Sequence, residues 1–225
     1  MRVTLPLLLC AACYEPLDLP VVETVPVVPA NACASDRFEE VVCVLDGDTF
    51  DVGACGEFGE RVRLLGVDAP EIAHDPDPAD CYGDIAHDEL ERLVDRDRVR
   101  LSFDEECLGI YGRTLAYVWL TGSSYDRLSG HPDQQEYTRL VPGEDIEGIL
   151  LNEWLIAQGY ARVFPEEQFG RILWQDDLDL AEDRARTEGR GLWSACVDDA
   201  SGTAKGTAGT MIFPTRDGTT ARESE

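Results

Sequence analysis

Three short stretches hold the side chains best suited to chemistry: "DGDT" at residues 46–49, "RVRLLGVDAPE" at 61–71 and "YGRTLAYVW" at 111–119. In the first, Asp46-Gly47 is a turn signal, and Asp48 follows it with a carboxylate projecting from the end of a hairpin, a place for an oxygen ligand to a hard cation. In the second, Arg61 and Arg63 precede Asp68 and Glu71. Guanidinium forks match phosphate and carboxylate groups, whereas carboxylates ligate cations or exchange protons with water. Strand alternation puts 61, 63, 65 and 67 on one face and Asp68 on the other, so Arg63 and Asp68 share a site only if Gly66 or a bulge re-aims the chain. Pro70 keeps Ala69 extended and ends the strand, which leaves Glu71 at the mouth of a turn. In the third stretch Arg113 opens a strand after Gly112. Taken singly, each stretch also reads as an ordinary turn or a surface strand with ion pairs.

The chain around them has 225 residues and is 44% hydrophobic, which suits one globular domain with extended ends. Its formal net charge is -26, from 45 acidic and 19 basic residues. Such a surface repels phosphate backbones and anionic membranes at long range, which argues against a general nucleic-acid coating protein. Lys205 is the one lysine, so an anion bound by a side-chain cation elsewhere meets arginine. The opening "MRVTLPLLLCAAC" has a charge at Arg2, an apolar run and small residues before Cys13, the order of an export signal. Ala11 and Ala12 ahead of Cys13 resemble a bacterial lipoprotein processing site, with Cys13 as the lipid anchor. An exported protein is expected, in the cell envelope or secreted, acting as a monomer.

Residues 14–36 are Pro-punctuated and read as a tether; residues 198–225, rich in Gly, Thr and Ala, read as a disordered tail. The folded domain is expected over 37–197. Within it, "EEVVCVLDGDTFDVG" is a hairpin whose Asp-Gly turn tolerates positive φ, and "RVRLLGV" is a third strand. Ile85, Ala86, Leu90, Leu93 and Val94 share one face of a helix over 82–96. "RVRLSFD" and "GRTLAYVWL" add two strands, and 121–147 reads as an extended polar loop. A helix over 147–163 ends near Gly159, and a last one runs from about Glu167 to Thr187. Five strands with one helix after the third and two at the end fit a closed β-barrel capped by three α-helices.

The order of the pieces is more specific than any one of them. "VLDGDTF", "RVRLLGVDAPE", "YGDIA", "YGRTLAYVW", "LNEWLIAQGYARV" and "GRGLW" follow one another over roughly 40–196, and together they resemble the staphylococcal nuclease (thermonuclease) family. That resemblance implies a mainly β OB-fold, a five-stranded barrel capped by three α-helices, and a calcium-dependent nuclease acting on DNA and RNA that leaves 3′-phosphate and 5′-hydroxyl ends. By motif position it implies Asp48, Asp68 and the carbonyl of Ala69 as Ca²⁺ ligands, Glu71 as the general base, and Arg63 and Arg113 as the catalytic arginines. Arg61 falls outside this set and reads as a surface residue. Ala69 stands where the family often has Thr, Ile110 where the member that names the group has Lys, and "FPEEQF" gives no clear match to that member's nucleotide-stacking tyrosines.

With Cys10 removed and Cys13 lipidated, six cysteines remain, an even number suited to disulfides in an oxidising compartment. In the fold that the resemblance implies, Cys81 and Cys107 approach each other at the rim of the site, so a Cys81–Cys107 disulfide is expected, with Cys43–Cys55 and Cys33–Cys196 as further pairs. His74, His87 and His131 read as exposed loop or helix residues rather than ligands. Two other readings compete: a catalytically silent OB-fold binding module, and a structural envelope lipoprotein. A retired site would have lost carboxylates or arginines, and all five matching side chains are present.

Overall fold

The structure, a computed structural model, describes residues 35–109, 111–165, 170–198 and 204–206. The segments read as signal, with Cys13, and as tether, up to residue 34 with Cys33, lie outside them, as do Ile110, residues 166–169 of the "FPEEQF" segment and most of the stretch read as a tail. In chain order the elements are β1 (Arg37–Asp46), β2 (Thr49–Val52), β3 (Glu60–Leu64), β4 (Val67–Asp68), α1 (Gly83–Val94), β5 (Arg98–Ser102), β6 (Thr114–Leu120), the single turns α2 (Ser123–Asp126) and α3 (Gln134–Tyr137), β7 (Thr138–Leu140), β8 (Glu147–Leu150), α4 (Leu151–Ala157), β9 (Arg162–Val163), α5 (Gln175–Glu188), α6 (Leu192–Ala195), β10 (Cys196–Asp198) and β11 (Ala204–Gly206). The last two pair with each other.

The barrel is made by the bending of β1. Its first four residues pair with β5 and the rest, from Val41, pair with β2, with register shifts between Val41 and Cys43 and between Val44 and Asp46. Such irregularities bend a strand and let one sheet turn a corner. The order β3-β2-β1-β5-β6 then closes on itself, because β3 and β6 pair in parallel at Val62↔Thr114 and Leu64↔Ala116. Val41, Phe50, Val62, Leu64, Val99 and Leu101 fill the interior. Helices α1, α4 and α5 are the three expected caps of an OB-fold. Asn152 of α4, fully buried, accepts from Val118 N–H and donates to the carbonyls of Leu65 and Ala116, which fixes the helix to the barrel.

Several expectations change. Residues 121–147 are not an extended loop: they hold α2, α3 and β7. The helix expected from 147 begins only at Leu151, because Ile149 and Leu150 complete the open edge of β6 opposite Leu120 and Trp119, so sheet pairing overrides helical periodicity there. Gly159, at φ 76, closes α4 as read from the sequence. The last helix starts at Gln175 rather than near Glu167, since Leu173 N–H is taken by the Asp104 carboxylate outside the helix. Cys81 pairs with Cys196, not with Cys107, and this excludes Cys33–Cys196 as well. Cys107 lies folded back along β6, its carbonyl accepting from Leu115 N–H, and is itself a disulfide cysteine. Cys43–Cys55 forms as expected.

Gly47 shows how tightly the hairpin end is packed. Its φ is not positive, contrary to the turn read from the sequence. A Cβ there would instead meet the Cβ atoms of Ala69 and Ala86 at 2.7 and 2.8 Å. Glycine is therefore required for close approach of the "DGDT" turn to "VDAPE" and to α1. We predict that Gly47→Ala loses about 1–3 kcal/mol by overpacking, read as a lower urea midpoint at unchanged m-value.

Candidate functional site

The site is built on the outer face of the β2–β3 pair. Alternation along β3 buries Val62 and Leu64 in the barrel and turns Arg61 and Arg63 outward. Across the pair, Thr49 faces Arg63 and Asp51 faces Arg61. After Leu64 the chain turns at Gly66, where φ is 76, and β4 starts a new pairing with β9. This turn is the re-aiming the sequence required, and it brings Asp68 to the same side as Arg63.

Asp48, only 1% exposed, lies beneath the floor. Its carboxylate accepts from Arg63 Nη1 at 2.6 Å, from Ala69 N–H at 2.9 Å and from Thr49 Oγ1 at 2.9 Å. Arg63 Nη2 donates to the Val67 carbonyl at 3.1 Å and stands 3.6 Å from Asp68 Oδ1. One guanidinium thus spans both carboxylates matched to metal ligands. Glu71 is held by its backbone: Asp80 N–H donates to its carbonyl, and Gly83 packs so closely that a Cβ would lie 2.2 Å from that oxygen. Arg113 stacks 5.4 Å over the exposed Tyr111 ring, and its buried Nε has no hydrogen-bond partner among the described residues.

Arg63, Asp68, Glu71 and Arg113 all line one cleft of about 950 Å³, with Asp48 and Ala69 buried behind it. Two further lining residues were not expected. Asp46, the first residue of "DGDT", accepts from Asp48 N–H at 3.0 Å; the repeated carboxylate in that motif was its signal. Arg61, read as a surface residue, lies on the cleft wall because it shares the strand face of Arg63. His74 also lines the cleft, exposed and 3.9 Å from Glu71. Among the described residues, the trio of ligand atoms within 4.8 Å of one another is His87, Asp88 and Glu91, neighbours on one face of α1 and remote in sequence from these motifs.

Burial pushes the Asp48 carboxyl well above the usual carboxylate range, against the pull of Arg63, and Asp46 adds to the push. Asp68 is raised by burial, with Arg63 and Arg162 opposing. Glu71, whose side chain is more than half exposed, is raised by its partial burial and by the charge of Asp46. Carboxylates raised together in one place gain from an added cation, and an orphaned guanidinium donor gains from an added anion. The donors present therefore fit a hard cation beside a phosphate-like group.

A small OB-fold barrel with a mixed carboxylate and guanidinium cleft on its β2–β3 face defines the class. The family model for the staphylococcal nuclease homologue matches residues 61–195, and the chain belongs to that family. It is 47% identical over 122 residues to the thermonuclease of Staphylococcus intermedius, covering 49% of this chain and 72% of that protein. It is 35% identical to the thermonuclease of Staphylococcus hyicus over 72% of this chain and 78% of that one. With the endonuclease YncB of Bacillus subtilis it shares 29% identity over 67% of this chain and 58% of that protein.

The Asp48–Arg63 pair makes a separate stability prediction. Arg63→Ala leaves a buried carboxylate without its cation, which costs on the order of 3–5 kcal/mol at neutral pH. Because the Asp48 pKa is raised in the folded state, protonation of Asp48 is linked to folding and removes the need for a counter-ion. The deficit should narrow as pH falls, and Asp48→Asn in the Arg63→Ala background should recover most of it in urea denaturation.

Proposed function

We propose that the protein is an exported nuclease that hydrolyses phosphodiester bonds of DNA or RNA with Ca²⁺ as its metal, acting as a monomer that a lipid at Cys13 tethers to the envelope. The observation that carries the reading is the convergence of Arg63, Arg113, Asp68 and Glu71 on one cleft over the buried Asp48. The kinship with thermonucleases and an endonuclease supports it, and disulfides suit an oxidising compartment.

Asp48, Asp68 and the Ala69 carbonyl would hold the cation through oxygen ligands. Bound Ca²⁺ supplies a Lewis acid for the charge that builds on the phosphoryl oxygens. The remaining work belongs to the chain. Glu71 accepts a proton from the attacking water as its oxygen bonds to phosphorus. Partial burial and the charge of Asp46 raise its pKa, and a cation bound beside it opposes that rise. Arg63 and Arg113 donate to the five-coordinate phosphoryl group, and donors fixed in advance favour that state over the substrate. The P–O5′ bond breaks, the leaving 5′-oxygen takes a proton from solvent water, and a 3′-phosphate and a 5′-hydroxyl remain. The net charge of -26 favours the silent-module reading, but Arg63, Asp68, Glu71 and Arg113, the side chains a retired site would discard, line the cleft, and Asp48 lies beneath it.

The test is digestion of single-stranded DNA, duplex DNA and RNA by the purified protein in Ca²⁺ and in chelator. Cleavage in Ca²⁺ alone is expected, with Glu71→Gln slower by about 10²–10⁴-fold and Arg113→Ala by about 10²–10³-fold. Activity of the wild type should fall as pH drops and Glu71 is protonated, an acid limb that Glu71→Gln should lack. No cleavage in Ca²⁺, or equal cleavage by wild type and both variants, overturns the reading.

A further inference from the structure

We propose that Arg61 is a second phosphate-binding residue, placed one nucleotide step from Arg63, so that the cleft grips a strand at two successive phosphates. The inference rests on the nuclease reading of the cleft and extends it. Arg61 and Arg63 leave the same face of β3, two residues and so about 6.8 Å apart along the strand. That is close to one phosphate-to-phosphate step in an extended single strand. Both line the cleft, and its volume of about 950 Å³ is far more than a single phosphoryl group fills.

The way Arg61 is held sets it apart from an ordinary surface arginine. Asp51, its cross-strand partner, is 1% exposed. It accepts from Arg61 Nε at 3.0 Å and Nη2 at 3.4 Å, and from Gly56 N–H at 2.7 Å. The carboxylate thus grips one edge of the guanidinium from below. The opposite edge, with Nη1, makes no hydrogen bond with the described residues, and the side chain stays 40% exposed. Arg63, by contrast, is 12% exposed with both terminal nitrogens engaged. Arg61 is therefore the more accessible of the two cations, already oriented by a buried partner and needing little ordering on contact. Glu57, on the turn beside it, lines the same wall, so attraction there falls to Arg61.

A purely structural role, as counter-ion to Asp51, is the competing explanation, and Arg61→Ala alone confounds the two by stranding that carboxylate. The informative protein is Asp51→Asn with Arg61→Gln, which keeps a neutral hydrogen-bonded pair in place of the charged one. Binding of a fluorescein-labelled single-stranded oligothymidylate is measured by anisotropy in Ca²⁺ and in the Glu71→Gln background, across a salt series. Weaker binding is expected, with the salt slope of log Kd smaller by about 0.7, so that the advantage of the Arg61 protein shrinks about 2.6-fold between 50 and 200 mM salt. In proteins that retain Glu71, the same double change should raise KM and leave kcat in place. Unchanged binding, weaker binding with an unchanged slope, or no binding by either protein overturns the role of Arg61. Failure of the wild type to cleave would overturn the nuclease reading, and the binding series reports on Arg61 independently of it.

Discussion

A carboxylate sealed beneath the cleft is the constraint on which the site depends. Removing Asp48 from water costs several kcal/mol unless its lone pairs are met by donors and its charge by a cation. The fold meets both demands with groups from separate segments: the Arg63 guanidinium from β3, the Ala69 N–H from the segment after β4, and the Thr49 hydroxyl from β2. Each of these must lie within hydrogen-bond reach of one buried oxygen pair, so the placement of "DGDT" against "RVRLLGVDAPE" is set by a single side chain. Arg63 cannot drift without stranding Asp48, and Ala69 cannot without pulling Asp68 away from the cleft. The pair serves specificity of structure as much as stability.

The two ends of this arrangement are fixed by backbone devices. At one end Gly47 allows the hairpin to touch both Ala69 and Ala86, so the floor is set against α1. At the other, Glu71 is bound through its carbonyl to Asp80, the residue before Cys81. The Cys81–Cys196 disulfide then ties this segment to the end of α6, across a sequence separation of 115 residues. Closing a loop of that length is worth about 5 kcal/mol in the chain-entropy account. The proposed base is thereby anchored to both the first helix and the last part of the domain, although its carboxylate remains exposed to solvent.

What the sequence carried well was pattern with a local cause. Alternation in 60–64, the Asp-Gly hairpin and the apolar stripe of α1 each follow from neighbours a few residues apart, and each is present. The requirement that Gly66 redirect the chain was legible for the same reason, since Arg63 and Asp68 sit at opposite parity. The misread parts depend on distant partners. Ile149 and Leu150 have helical spacing but are claimed by the edge of β6, and Leu173 is held out of α5 by Asp104. The Cys81 partner followed from three-dimensional proximity of α1 and α6, which no spacing encodes. Arg61 reads from the sequence as a surface residue, and it is partly exposed; its strand parity with Arg63 was visible, but the buried Asp51 that orients it on the cleft wall became apparent only from the β2–β3 register.

A net charge of -26 looks opposed to recognition of a polyanion, yet the two act over different distances. Exposed charges are screened beyond about 8 Å at physiological ionic strength, so a phosphate inside the cleft responds mainly to Arg61, Arg63, Arg113 and the carboxylates beside them. The wider surface governs encounter instead, and it makes approach slow and off-site contacts weak. A basic surface would hold a strand in many registers, most of them unproductive. On an acidic surface, the places where a strand can stay are those where guanidinium groups are concentrated. If the cleft binds nucleic acid as proposed, the acidity confines that binding to it, and the local cations there need only outweigh the carboxylates within one screening length.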